Sequence, residues 1–149
     1  MPDQDSLRKQ RRQQARRMLS RWRGSVARVF FRFDAAALAR AMAQAGVRRG
    51  DVVLAHVAYD QFVGFSGSPG DAIRTLQQAV GETGTLLMPT LPFQGVVLDY
   101  VARGQITDLK RTPSAMGLVT EIFRRMPGVI RSVHPTHPVA IWGARAAEL

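Results

Sequence analysis

Between residues 7 and 33, Ala15, Met18, Leu19, Trp22, Val26, Val29, Phe30 and Phe33 recur at three- and four-residue steps. That spacing gathers them on one face of a helix, while Arg11, Arg12, Arg16, Arg17, Arg21 and Arg23 lie mostly off the stripe. Gly24 marks a break or kink, since glycine costs about 1 kcal/mol relative to alanine in a helix. Beyond the stripe the pattern shortens and alternates. Asp34 is placed to cap a helix from Ala35 to Ala45, which Gly46 stops. The apolar run from Val52 to Val57 reads as a buried strand. Ser68-Pro69-Gly70-Asp71 then starts a helix, with Ser at the cap, Pro in the first turn and an acid three residues on. That helix buries Ile73, Leu76 and Val80 and ends at Gly81. Thr85 to Met88 is a second buried strand, halted by Pro89, and a long loop runs from about Pro92 to Pro113. Ser114 is placed to cap a third helix carrying Met116, Val119, Ile122 and Phe123, and Val139 to Trp142 is a third strand. Helices alternating with apolar strands predict a layered α/β sheet.

Charge divides the chain more sharply than the pattern does. Residues 1–32 carry ten Lys/Arg against Asp3 and Asp5, whereas residues 33–149 carry eleven against nine acids. The chain therefore reads as a basic amphipathic arm, 1–32, and a nearly neutral α/β domain, 33–149. The arm suits three roles: a helix packed on the domain, a peripheral anchor on anionic lipid, or a phosphate-binding segment. Nucleic acid is the weakest of these, because no base-reading motif accompanies the arginines. The 149 residues suit one domain and include no cysteine, which removes disulfides, a thiolate nucleophile and Cys-rich zinc sites. With a polar, charged start and no run of 18 apolar residues, the expected location is the cytoplasm, with peripheral membrane contact through the arm as a variant.

Chemistry in such sheets gathers at strand ends and the loops beyond them. Three segments qualify: His56-Val57-Ala58-Tyr59, Met88-Pro89-Thr90 and the stretch from Arg131 to Pro138. The three histidines, His56, His134 and His137, lack the surroundings of a metal-ligand signature, and the commoner role of each is a hydrogen-bonded structural one. No metal is expected. The glycine-rich stretch Gly64 to Gly70 leads into a helix and offers free N–H groups to an anion, but it matches neither the dinucleotide fingerprint nor the P-loop.

The order of segments is more informative. Gly50-Asp51-Val52-Val53-Leu54-Ala55-His56 is followed by Gly67 to Ile73, then by Ala79-Val80-Gly81-Glu82-Thr83-Gly84-Thr85-Leu86-Leu87-Met88-Pro89-Thr90. Arg111 to Gly117, Phe123 to Val129 and Arg131-Ser132-Val133-His134-Pro135-Thr136-His137-Pro138 come next. This series resembles the aminoglycoside 3-N-acetyltransferase family, the antibiotic N-acetyltransferases, over about Phe33 to Leu149. The resemblance implies a three-layer α/β/α sheet of that family's own type, with acetyl-CoA as donor and no metal. The acceptor it implies is a small-molecule amine, an aminoglycoside or related amino sugar, which is the chemistry of antibiotic resistance. It also implies that His56, Val57, Ala58, Pro89, Thr90, Arg131, Ser132 and His134 line the coenzyme A site. The family's usual His-Ser-Ser is His56-Val57-Ala58 here, without the two hydroxyls. Its catalytic histidine belongs to a Thr-x-x-His helix expected beyond Leu149, so no catalytic residue is assigned in this chain, which is expected to be a fragment. The alternative from another class is a non-catalytic remnant or binding module whose arm docks on nucleic acid or anionic membrane.

Overall fold

The computed structural model describes residues 31–105 and 107–149. Most of the basic arm lies outside them. Its last residue by helical spacing, Phe33, is not helical but forms a parallel bridge to Phe65. From there the described elements are helix α1 (Ala35–Gln44), strand β1 (Val52–Leu54), a 3-10 turn (Tyr59–Gln61), α2 (Pro69–Val80), β2 (Thr85–Pro89), α3 (Val97–Ala102), α4 (Leu118–Phe123), β3 (Ile130–Arg131) and β4 (Val139–Gly143).

The four strands form one mixed sheet in the order β1-β2-β4-β3. β1 and β2 are parallel, joined through α2, and β4 runs antiparallel to both β2 and β3. Strand alternation sends Val53, Leu86, Met88 and Ala140 to the face on which α2 and α4 pack. There Ile73, Val80, Val119 and Phe123 complete the core, and α1 rests on α2. The caps at Asp34 and Ser68 form as expected: Ala37 N–H donates to Asp34 Oδ1 at 2.8 Å, and Ser68 and Asp71 make a reciprocal capping box.

Three expectations are corrected. The run Val52 to Val57 is not a strand buried on both faces. It pairs only over Val52–Leu54, at the sheet edge, and Val52 and Leu54 are 49% and 57% exposed. A continuous apolar run does not report which face is covered; here Val53, Ala55 and Val57 turn to the core, while Val52 and Leu54 face outward. Second, the expected long loop contains α3, whose Tyr100 is buried and stacked on Phe93 at 4.7 Å. Third, Ser114 does not cap α4, which begins at Leu118 after Gly117 at φ 119°. Ser114 instead shares a hydrogen bond with Thr120 at 2.8 Å and accepts one from Met116 N–H, so it shapes the turn before the helix.

Candidate active site

Two turns predicted to carry chemistry meet. At the carboxyl end of β1 the backbone leaves the ladder after Ala55 N–H donates to Leu87, and His56, Val57 and Ala58 fan out there. β2 ends alongside at Pro89. Together with Met116 and Thr120 these residues line a cavity of about 190 Å³. Val57, Ala58, Pro89 and Met116 make its wall mostly apolar, and His56 and Thr120 are its polar groups. Met116 and Thr120 were not assigned by sequence reasoning. The signal was present, because both belong to or follow the Arg111–Gly117 segment that carried the resemblance.

Thr90 lies directly behind this wall. It is fully buried, its N–H donates to Pro138 C=O at 2.8 Å, and its hydroxyl donates to the same oxygen at 3.0 Å. The third segment joins here through Arg131. Its Nε donates to Thr90 Oγ1 at 3.1 Å and its Nη2 to Thr90 C=O at 2.5 Å. Its Nη1 donates to Thr112 C=O at 2.6 Å and Leu109 C=O at 3.3 Å. The side chain is thus engaged on all three nitrogens by neutral acceptors, and Arg131 is only 8% exposed. Burial first, and repulsion from Arg124 second, push its pKa below the usual arginine value. The guanidinium ties β3 to the Thr90 turn and to the 109–112 loop.

The neighbouring segment is held just as firmly. Glu121 accepts a two-pronged pair from Arg124 at 2.6 and 2.7 Å and the Ser114 N–H at 2.7 Å, and it also pairs with Arg125. Burial by itself raises the Glu121 pKa. The Arg124 and Ser114 hydrogen bonds and both arginine charges outweigh it and hold the carboxyl at about 2. Arg124 continues to Lys110 C=O at 2.8 Å, so α4 and the 110–114 loop are one unit.

Ser132 spans the β3–β4 connection: Val139 N–H donates to its Oγ at 2.9 Å. His134 staples the same connection, accepting Thr136 N–H and His137 N–H on Nδ1 at 3.2 and 2.8 Å. It is exposed and does not line the cavity. Among the described residues no cluster of three or more His, Asp or Glu is placed to hold a metal ion. In the glycine-rich stretch, a Cβ on Gly67 would stand 2.7 Å from the Phe65 ring, inside a cluster of Phe33, Tyr59, Phe62 and Phe65. The first N–H groups of α2 face the Ser68–Asp71 capping box. Glycine there serves aromatic packing and a helix start.

The family model for aminoglycoside 3-N-acetyltransferase matches residues 54–149, from the end of β1 onward. The chain belongs to the aminoglycoside 3-N-acetyltransferase family. It is 30% identical over 125 residues to aminoglycoside N(3)-acetyltransferase VII of Streptomyces paromomycinus, covering 75% of this chain and 43% of that protein. To aminoglycoside N(3)-acetyltransferase IX of Micromonospora chalcea it is 31% identical over 123 residues, covering 72% and 43%. The chain thus spans under half the length of the curated relatives it matches. Among solved structures, the apoenzyme of aminoglycoside acetyltransferase AAC(3)-IVa superposes with a TM-score of 0.67 at 28% identity, covering 78% of this chain and 43% of that one. AAC-VIa bound to sisomicin gives 0.66 at 27%, covering 78% and 48%. The α/β architecture of this chain is therefore that of its relatives. No described helix is long and apolar enough to cross a membrane.

Proposed function

We propose that this chain contributes the donor side of an acetyl-CoA-dependent N-acetyltransferase, with an amino group of an aminoglycoside or related amino sugar as acceptor. One observation carries the reading: the His56–Ala58 turn and Pro89, which the family resemblance implies are cofactor-lining, line one cavity. An apolar wall with few polar groups suits a slender thioester arm better than a polycationic acceptor. The arm would lie between Ala58, Pro89 and Met116, with His56 and Thr120 in reach of its amides. Coenzyme A is a substrate here. The amine nitrogen attacks the acetyl carbonyl, the C–S bond breaks, and the amine's proton leaves as the thiol forms. The cavity's part in this is to position and desolvate the thioester.

Arg131, Ser132 and His134 enter the reading as supports. Arg131 fixes the Thr90 turn, and Ser132 and His134 shape the connection after it. Ala58→Trp tests the assignment: an indole at this exposed lining position fills the cavity without disturbing the core. Calorimetric titration is expected to show saturable acetyl-CoA binding by the native chain and its loss in Ala58→Trp. Equal binding by both proteins contradicts the reading. Binding to duplex DNA or anionic vesicles with a steep salt dependence, and none to coenzyme A, favours the non-catalytic module instead.

A further inference from the structure

At the opposite end of the sheet lies a larger cavity, about 340 Å³, lined by Arg49, Arg74, Gln77, Gln78, Gly81, Glu82 and Trp142. Arg49 precedes β1, Gly81 and Glu82 precede β2, and Trp142 is near the end of the antiparallel β4. His56 lies beyond the other end of β1 and Pro89 closes β2, so the two cavities are separated by the length of a strand, about 15 Å for five residues.

The cavity gathers polar side chains of several kinds in one place. Of its two arginines, Arg74 pairs with Asp71 at 2.7 Å. The side chains of Arg49, Gln77, Gln78 and Glu82 and the Trp142 N–H have no hydrogen-bond or ion-pair partner among the described residues. Arg49 is nevertheless seated. A Cβ on Gly81 would stand 3.1–3.2 Å from its Nε, Cζ and Nη2, so the guanidinium lies against bare backbone at a position with φ +69°. Trp142 is anchored too, packed on the core cluster beside its register partner Leu86. The result is a guanidinium, two carboxamides, a carboxylate and an indole, open to solvent and without partners among the described residues, gathered with Arg74 around one space of small-molecule size.

Each group narrows the ligand. A free guanidinium selects a carboxylate, which it binds with a two-pronged geometry. Carboxamides both donate and accept, and a carboxylate accepts, which together suit hydroxyl groups that do both. An indole face suits the C–H surface of a ring and adds an N–H donor at its edge. We propose that this cavity binds a hydroxyl-rich cyclic carboxylate of monosaccharide size, a sugar acid. Arg49 holds the carboxylate, Gln77, Gln78 and Glu82 meet the ring hydroxyls, and Trp142 supports the ring. The site is separate from the donor cavity and stands whether or not that cavity takes coenzyme A.

Trp142 reports binding directly. The chain has two tryptophans, and Trp22→Phe leaves Trp142 as the sole emitter. Titration of that protein with sodium glucuronate is expected to change its emission saturably, with sodium acetate and glucose at least tenfold weaker. Arg49→Ala is expected to weaken glucuronate at least tenfold and Gln77→Ala severalfold, with Arg49→Lys in between. Both lining positions lie outside the core, and circular dichroism verifies that the variants stay folded. Saturating acetyl-CoA is expected to leave the glucuronate titration unchanged. No saturable response to glucuronate, a response that Arg49→Ala leaves intact, or glucose binding as tightly as glucuronate overturns the proposal.

Discussion

Arg131, which the family resemblance puts at the coenzyme A site, is a structural clamp in three dimensions. The deciding difference is the number of acceptors it already holds. Its neutral partners are backbone carbonyls of Thr90, Leu109 and Thr112 and one hydroxyl, none of which leaves a sequence signature. Arg131→Ala strands several buried carbonyls, and charge-assisted hydrogen bonds are worth about 1.5–3 kcal/mol each. A loss of roughly 3 kcal/mol in urea unfolding is the expected result. Arg131→Lys recovers little of it, because one ammonium cannot reach three separate directions. Glu121 gives a pH test. Its folded pKa, about 2, lies below the ordinary 4.5. The associated stability is fully present above pH 4.5 and is lost as pH falls toward 2. Glu121→Gln is expected to be less stable at neutral pH and to lose that part of the acid slope, read by unfolding at a series of pH values.

Among the elements, those with local chemistry were legible in the sequence. Asp34 and Ser68 announce α1 and α2 because a cap needs only a side-chain oxygen and the next few N–H groups. Ser68→Ala is expected to cost about 1 kcal/mol in thermal or urea unfolding. β2 and β4 were legible as apolar runs, though their antiparallel pairing was not, since pairing depends on partners far away in sequence. The edge position of β1 is hidden for the same reason, and α3 is hidden between Pro92, Gly95 and Pro113 in a six-residue segment with little periodicity. Close approach was hidden as well. Gly143, at φ +112°, sits where a Cβ would collide with the Gly84 carbonyl across the β2–β4 pair. Gly143→Ala is therefore expected to destabilise the domain by about 1–3 kcal/mol, combining left-handed strain with displacement of β2.

On the scale of the molecule, the sheet works as a divider. One end gathers the His56 and Pro89 turns around an apolar cavity, braced from behind by Arg131; the other gathers unpaired polar groups around Trp142. The sequence carried the first end through a family resemblance and through the habit of strands to present function at their carboxyl ends. It gave no hint of the second, because Arg49, Gln77, Glu82 and Trp142 come from four separate elements or connections and share no motif. The most direct test of the account is a nitrogen–proton correlation spectrum recorded during titration with acetyl-CoA. The account predicts that amide shifts concentrate at His56, Val57, Ala58, Met116 and Thr120, with Arg49, Gln77 and Trp142 unmoved. Shifts concentrated at the Trp142 end, or none anywhere at saturating acetyl-CoA, contradict it.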